Sequence, residues 1–227
     1  MTRELYANVV QLEDSRLATR NLAPGRKVYD EDLVNVRGDE YRTWNPTRSK
    51  LAAYILKGGR SMPIGPQTRV LYLGAANGTT PSHVSDIASK GVVFSLEFSP
   101  RSFRDLVSVA DHRSNIVPIL GDAWRPDRYR RFAGNVEVLY QDIAQRHQAA
   151  IFARNLRVFA PAWGMFMVKA RSVDVAADPR AVYDQVAHEV ERDSGYALVE
   201  SVDLGPYERD HAALLFKPRT ERERRNR

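Results

Sequence analysis

The residues best placed to do chemistry follow a run of strand formers. Val70, Leu71, Tyr72 and Leu73 break into Gly74-Ala-Ala-Asn-Gly78, and then Thr79-Thr80-Pro81 open a helix. Glycine permits backbone angles and close approaches that a Cβ forbids, and a strand, a glycine turn and a helix N-terminus together make a ligand site at the carboxyl edge of a parallel sheet. Thr79 or Thr80 is expected to cap the helix, with Pro81 in its first turn. Three acids fall at the ends of later strands: Glu97, Asp122 and Asp142. Glu97, about 20 residues past the loop, is placed to accept hydrogen bonds from two ribose hydroxyls. Asp122, in Leu120-Gly-Asp-Ala-Trp124, is placed to read an adenine amino group. Ala76 stands where a pyrophosphate-binding loop needs its second glycine, so a nucleoside ligand without a pyrophosphate fits better than a nicotinamide dinucleotide. S-adenosyl-L-methionine is such a ligand.

These groups need a frame. From residue 69 the pattern alternates strand and helix: strands at 69–73, 92–97, 116–120, 136–141 and 164–170, helices at 80–89, 100–110, 146–159 and 179–193, with a connector before the fourth strand. This is an α/β pattern with a parallel sheet covered on both faces. Two terminal strands, 196–203 and 211–217, joined through Gly205-Pro206, are expected to pair antiparallel. Residues 1–45 read as a small N-terminal β-rich domain with strands near 8–12, 33–37 and 40–44. A helix from Asn45-Pro46-Thr47 to about Lys57 places Lys50 in its first turn. The expected organisation is that small domain, a second domain over 46–218, and a charged tail over 219–227.

The bulk numbers set limits. At 227 residues and 43% hydrophobic, the chain can build one full α/β core plus an appendage. A formal charge of +6 favours a polyanionic partner. There is no cysteine, and the five histidines show no metal-ligand spacing, so neither a disulfide nor a metal is expected. The sequence contains no apolar run long enough for a membrane span and no apolar stretch of a secretion signal, so a cytoplasmic protein is expected. Taken singly, His83 reads as a packed histidine. Arg101, Arg104, Arg113, Arg125, Arg128, Arg130 and Arg131 could line a path for RNA phosphates or simply solvate helix faces.

Several longer segments resemble fibrillarin: Tyr72-Leu-Gly-Ala-Ala-Asn-Gly-Thr-Thr80, Ser82-His-Val-Ser-Asp86, Leu96-Glu-Phe-Ser99, Tyr140-Gln-Asp-Ile-Ala-Gln145 and Val168-Lys-Ala-Arg171. The likeness runs from Arg42-Thr-Trp-Asn-Pro-Thr-Arg-Ser-Lys-Leu51 to Pro206-Tyr-Glu-Arg-Asp-His211, and the chain looks like an archaeal member, for which the glycine-arginine-rich extension of eukaryotic members is not expected. Asn77 stands where serine is common, and Arg146-His147 where Pro-Asp often follows Ala-Gln.

The resemblance implies a Rossmann-like class I methyltransferase fold, with a mostly parallel seven-stranded sheet and an antiparallel last strand. It implies S-adenosylmethionine-dependent methylation of ribose 2′-hydroxyls in rRNA or tRNA, directed by box C/D guide RNA, with a Nop-domain scaffold and a kink-turn-binding protein as companions. The small N-terminal sheet or an exposed helix face would dock the scaffold. Carried over to this sequence, the cofactor residues are Gly74, Ala75, Ala76, Asn77, Gly78, Thr79, Thr80, Glu97, Phe98, Asp122, Ala123, Asp142 and Gln145. By the same resemblance Lys50, Asp142, Lys169 and His211 form a catalytic tetrad in which Lys169 deprotonates or polarises the hydroxyl. A protein or small-molecule methyltransferase would not need those four side chains to converge, and a non-catalytic scaffold would bind no cofactor.

Overall fold

The computed structural model describes residues 2–220 and contains two sheets. The first is antiparallel, with β1 (Arg3–Tyr6), β2 (Val9–Gln11), β3 (Leu17–Arg20), β4 (Leu33–Val36) and β5 (Asp39–Trp44) in the order β1-β2-β3-β5-β4. The short strands β1 and β3 are additions to the sequence reading. The 221–227 part of the expected tail lies outside the described residues.

After α1 (Lys50–Leu56) come β6 (Arg69–Leu73), α2 (Thr79–Ile87), β7 (Val92–Glu97), α3 (Pro100–Ala110), β8 (Ile116–Leu120), α4 (Pro126–Ala133) and β9 (Val138–Gln141). Then follow α5 (Gln148–Phe159), β10 (Trp163–Lys169), the short α6 (Ala170–Val173), α7 (Pro179–Ser194), β11 (Tyr196–Asp203) and β12 (His211–Pro218). The second sheet has seven strands in the order β11-β12-β10-β9-β6-β7-β8. Strands β8, β7, β6, β9 and β10 pair in parallel, and β12 runs antiparallel to both β10 and β11. This is the Rossmann-like methyltransferase arrangement. Because β6 lies at its centre between β7 and β9, the glycine loop opens at the middle of the carboxyl edge, where a crossover reversal leaves a crevice.

Alternation along the strands builds two cores. Leu71, Leu73, Leu139, Phe166, Val168, Leu214 and Phe216 face one way, toward residues of α4, α5 and α7. Val70, Tyr72, Val138, Tyr140, Met165, Met167 and Leu215 face the other, toward α1, α2 and Leu106 of α3. Val9, Leu17 and Trp44 of the first sheet join that second core, so the small sheet is bound through continuous apolar packing.

A buried charge network also crosses the junction. Arg42 bonds Glu31 and Asp86, and Arg113 bonds Asp86, with all four side chains at most 1% exposed. Thr19 Oγ1 and the Leu22 amide add two further donors to the Asp86 carboxylate, at 2.7 and 2.9 Å. Two positive and two negative groups balance there, and multiple hydrogen bonds satisfy them, as burial of charge requires. Arg113 therefore belongs to this interior cluster and not to a surface RNA path. His83 is likewise interior, stacked on Trp44 at 4.7 Å. None of the described helices is long and apolar enough to cross a membrane.

Candidate active site

The loop after β6 is shaped by the approach of β9. The amides of Gly74 and Ala75 both donate to Leu96 O at 3.0 Å, and the Asp142 amide donates to Leu73 O at 2.9 Å. Gly74 has φ +83°, and a Cβ there would sit 2.4 Å from Asp142 O, so only glycine lets the end of β9 pass. Ala76 is held at φ +47°, an uncommon conformation for a residue with a Cβ, and its amide donates to Glu97 Oε2 at 2.8 Å. Gly78, at φ +88°, is the N-cap of α2, so Thr79 and Thr80 lie inside the helix and do not cap it. A Cβ on Gly78 would meet Val109 and Leu106 at 3.2–3.3 Å, which shows that this glycine serves the packing of α3. It lines neither of the clefts described below.

Two clefts meet at the carboxyl edge. One, of about 470 Å³, is lined by Gly74, Ala76, Glu97, Phe98, Asp122, Ala123, Asp142 and Gln145, with Leu96, Ile143 and Ile151 as apolar walls. Glu97 Oε1 accepts from the Ser99 amide at 2.7 Å while Oε2 holds Ala76, and Asp122 Oδ1 accepts from the Trp124 amide at 2.9 Å. Each carboxylate is thus oriented and keeps acceptor capacity for a ligand hydroxyl or amino group. Phe98 is 70% exposed, an unshielded ring beside Glu97. The second cleft, of about 690 Å³, shares Gly74, Ala76 and Asp142 with the first and adds Ala75, Asn77, Thr79 and Thr80. Across it stand Arg26, Lys27 and Arg48. A slot with two oriented carboxylates, apolar sides and a glycine floor suits the nucleoside part of S-adenosylmethionine, and it sits within the size range of small-molecule sites.

Lys50 Nζ lies 2.9 Å from Asp142 Oδ1 and 3.1 Å from Oδ2, at the first residue of α1. Lys169 ends β10, and His211, which opens β12, is its direct cross-strand neighbour. Buried Gln148 holds both backbone groups of Lys169: its Oε1 accepts from the amide at 3.1 Å and its Nε2 donates to the carbonyl at 2.9 Å. Burial, and then Lys50, hold the His211 imidazole below the ordinary histidine range, and its Nδ1 lies 2.7 Å from Arg209 O. A neutral ring with its proton on Nδ1, donated to that carbonyl, leaves Nε2 as the acceptor. Lys50, Asp142 and Lys169 all act on His211 electrostatically, so the four expected side chains form one charged cluster and are not dispersed over the surface.

The sequence reading missed two residues here. Glu208 Oε2 lies 3.7 Å from His211 Nδ1, and burial pushes its carboxyl above the usual range. Its signal was the three-residue spacing to His211. Gln148 had a weaker one, a lone polar side chain at the start of an apolar helix segment.

A fibrillarin family model matches residues 1–220. The chain belongs to the fibrillarin family. The fibrillarin-like rRNA/tRNA 2′-O-methyltransferase of Methanocaldococcus jannaschii is 44% identical over 219 residues, covering 94% of this chain and 95% of the relative. The crystal structure of Aeropyrum pernix fibrillarin in complex with natively bound S-adenosyl-L-methionine superposes with a TM-score of 0.85 at 44% identity, covering 95% of this chain and 97% of that one. A fibrillarin/Nop5p complex gives a TM-score of 0.87 at 39% identity, covering 96% and 100%.

Proposed function

We propose that this fibrillarin-family chain transfers a methyl group from S-adenosyl-L-methionine to ribose 2′-hydroxyls of rRNA and tRNA. In this reading residues 46–218 are the methyltransferase domain and 1–45 the small β-rich domain. The observation that carries it is the Lys50–Asp142 contact on the wall shared by the two clefts, beside the Lys169–His211 pair. A donor with its nucleoside in the smaller cleft and an acceptor strand entering the larger one would meet at that carboxylate.

Glu97 accepts hydrogen bonds from the donor's ribose, Asp122 from its adenine amino group, and the Gly74–Thr80 loop receives its amino-acid tail. When bound, S-adenosylmethionine supplies an electrophilic methyl carbon on a sulfonium. The chain's own work is alignment and proton handling. Alignment of oxygen against carbon supplies several kcal/mol by effective-molarity estimates. A ribose hydroxyl is a weak nucleophile at neutral pH, and a positioned acid–base group adds about 10²–10⁴-fold. Asp142, oriented by Lys50, holds the acceptor hydroxyl close, and Lys169 polarises it or takes its proton. His211, neutral and with Nε2 free to accept, completes the cluster.

Among the described residues there is no sequence-reading RNA motif of a common kind, so base pairing by a box C/D guide RNA supplies target choice, as in other RNA-guided systems. A Nop-domain scaffold and a kink-turn-binding protein complete the particle. The existence of a fibrillarin/Nop5p complex supports that assembly.

Reconstitution with guide RNA, scaffold and labelled S-adenosylmethionine tests the reading. Label on a single ribose 2′-oxygen is the expected result, and label on protein alone would overturn it. Lys169→Ala should abolish transfer while leaving cofactor affinity nearly unchanged. Retained turnover would remove Lys169 from the role assigned to it.

A further inference from the structure

Part of the lining of the larger cleft comes from the small N-terminal domain: Arg26, Lys27, Val28 and Tyr29 between β3 and β4, and Arg48 after β5. The segment between β3 and β4 is pinned from inside: Glu31 accepts from the amides of Val28 and Tyr29, both at 2.8 Å, and buried Arg42 grips Glu31 in turn. On its other arm, Asn21 Nδ2 donates to Arg26 O at 3.3 Å, while Glu40 receives the Gly25 amide at 2.8 Å. The backbone of this loop is thus fixed on both sides of Arg26 and Lys27. Yet both side chains are exposed, and neither has a hydrogen bond or ion pair among the described residues. Arg48, paired with Asp30 at 2.8 Å, stands beside them and precedes Lys50 by two residues. A loop held this firmly, presenting the unpaired Arg26 and Lys27 into a cleft that Asp105 and Asp142 also line, offers a preorganised place for anions on its own side of the cleft.

We propose that Arg26, Lys27 and Arg48 form a subsite for backbone phosphates of the substrate strand, next to the ribose that is to be methylated. The inference rests on the RNA reading above and makes the small sheet half of the acceptor site. A methyl donor carries a single carboxylate, which the Gly74–Thr80 loop can receive. Unpaired Arg26 and Lys27, with the Asp30-paired Arg48 beside them, exceed what that group needs and match a polymer with one negative charge per residue. They line the same cleft as Asp142, so a strand gripped there has its sugar within that cleft beside the Lys50–Asp142 contact.

The test is the double variant Arg26→Gln with Lys27→Gln, chosen because both side chains are exposed and the loop is held by other groups. The reconstituted particle is assayed against a target oligoribonucleotide over a series of salt concentrations, and S-adenosylmethionine binding is measured by calorimetry. KM for the oligoribonucleotide is expected to rise roughly tenfold at low salt, with the salt slope of binding reduced by about one per phosphate contact removed and donor affinity unchanged. The exchange Arg26→Lys with Lys27→Arg should restore most of the loss. Unchanged KM and slope would overturn the proposal, as would a loss of donor affinity matching the loss of transfer, which would assign the cations to the donor's carboxylate. If the wild-type particle places no label on ribose, the RNA reading itself fails and this inference with it. If the wild type labels ribose and the double variant equals it, only the inference falls.

Discussion

The Lys50 ammonium sits within 3.1 Å of both oxygens of Asp142, although 92 residues separate the two in sequence. The contact joins the first turn of α1 to the end of β9, and so sets the carboxylate's orientation from outside the sheet. Asp142 lines both clefts, whereas Lys50 lines neither. Lys50→Ala should therefore lower methyl transfer by about 10²–10⁴-fold with donor affinity retained, while Asp142→Asn should weaken both. Single-turnover rates set beside calorimetric donor affinities separate these outcomes. Wild-type rates in Lys50→Ala would reduce the pair to a structural contact.

His211 offers a direct reading of the cluster's field. Burial and the Lys50 charge lower its pKa, and the Arg209 carbonyl and Asp142 raise it. Removing the ammonium by Lys50→Met leaves only Lys169 to oppose Asp142, so the imidazole should titrate at higher pH in the variant than in the wild type. NMR titration of the ring protons measures both values. A downward shift would mean that Lys50 does not act on His211 as placed here.

Gly74 and Gly195 share a left-handed backbone, at φ +83° and +79°, but differ in their surroundings. A Cβ at Gly195 meets nothing within 4 Å, and Gly195→Ala should cost only the conformational penalty of about 1–2 kcal/mol. A Cβ at Gly74 collides with Asp142 O, so Gly74→Ala must separate β6 from β9 at the floor of both clefts. It should destabilise the fold by more than Gly195→Ala and abolish donor binding. Thermal melts and calorimetry on the two variants make the comparison, and equal behaviour would contradict the geometry.

How much of this the sequence could show depends on where the information lay. β6, β7, β8 and β11 have the bounds read from the sequence; in the central β6 and β7 burial within the sheet writes itself into consecutive residues, while the outer β8 and β11 are only intermittently buried. α4 passed for a connector: in Pro126-Asp-Arg-Tyr-Arg-Arg-Phe-Ala133 the buried Pro126, Tyr129 and Ala133 do fall at helical spacing, but the segment is eight residues long, is half charged and opens on a proline. α1 starts later than Pro46 suggests because Asn45 Oδ1 captures the Thr47 amide at 2.9 Å, and that local turn competes with the helix. Arg113 looked like a surface charge since its counter-charge, Asp86, lies one crossover away on α2. The tetrad was reached through the family resemblance, as spacing alone cannot show that α1 folds back across the tip of β9.

The junction of the two sheets makes stability depend on pH through His83. Its Nδ1 lies 2.7 Å from Thr19 Oγ1, whose own proton goes to Asp86, so Nδ1 must be the donor. The Tyr29 hydroxyl faces both Nε2 at 2.6 Å and Thr43 O at 3.2 Å; with its proton on the shorter contact, Nε2 accepts and the ring is neutral. Burial first, then Arg42 and Arg113, hold its pKa well below 6.5. In the unfolded chain the ring titrates near 6.5, so as pH falls through that value the unfolded state gains a proton that the native state does not take up. The contribution to stability is thus complete above about pH 7 and is lost below it, at up to about 1.4 kcal/mol per pH unit. His83→Gln removes the titrating group and keeps an amide able to pair with Thr19 or Tyr29. Urea unfolding at pH 7.5, 6.5 and 5.5 should show the wild type losing its advantage over the variant toward low pH, and a constant difference would mean that His83 takes up its proton alike in the native and unfolded chains.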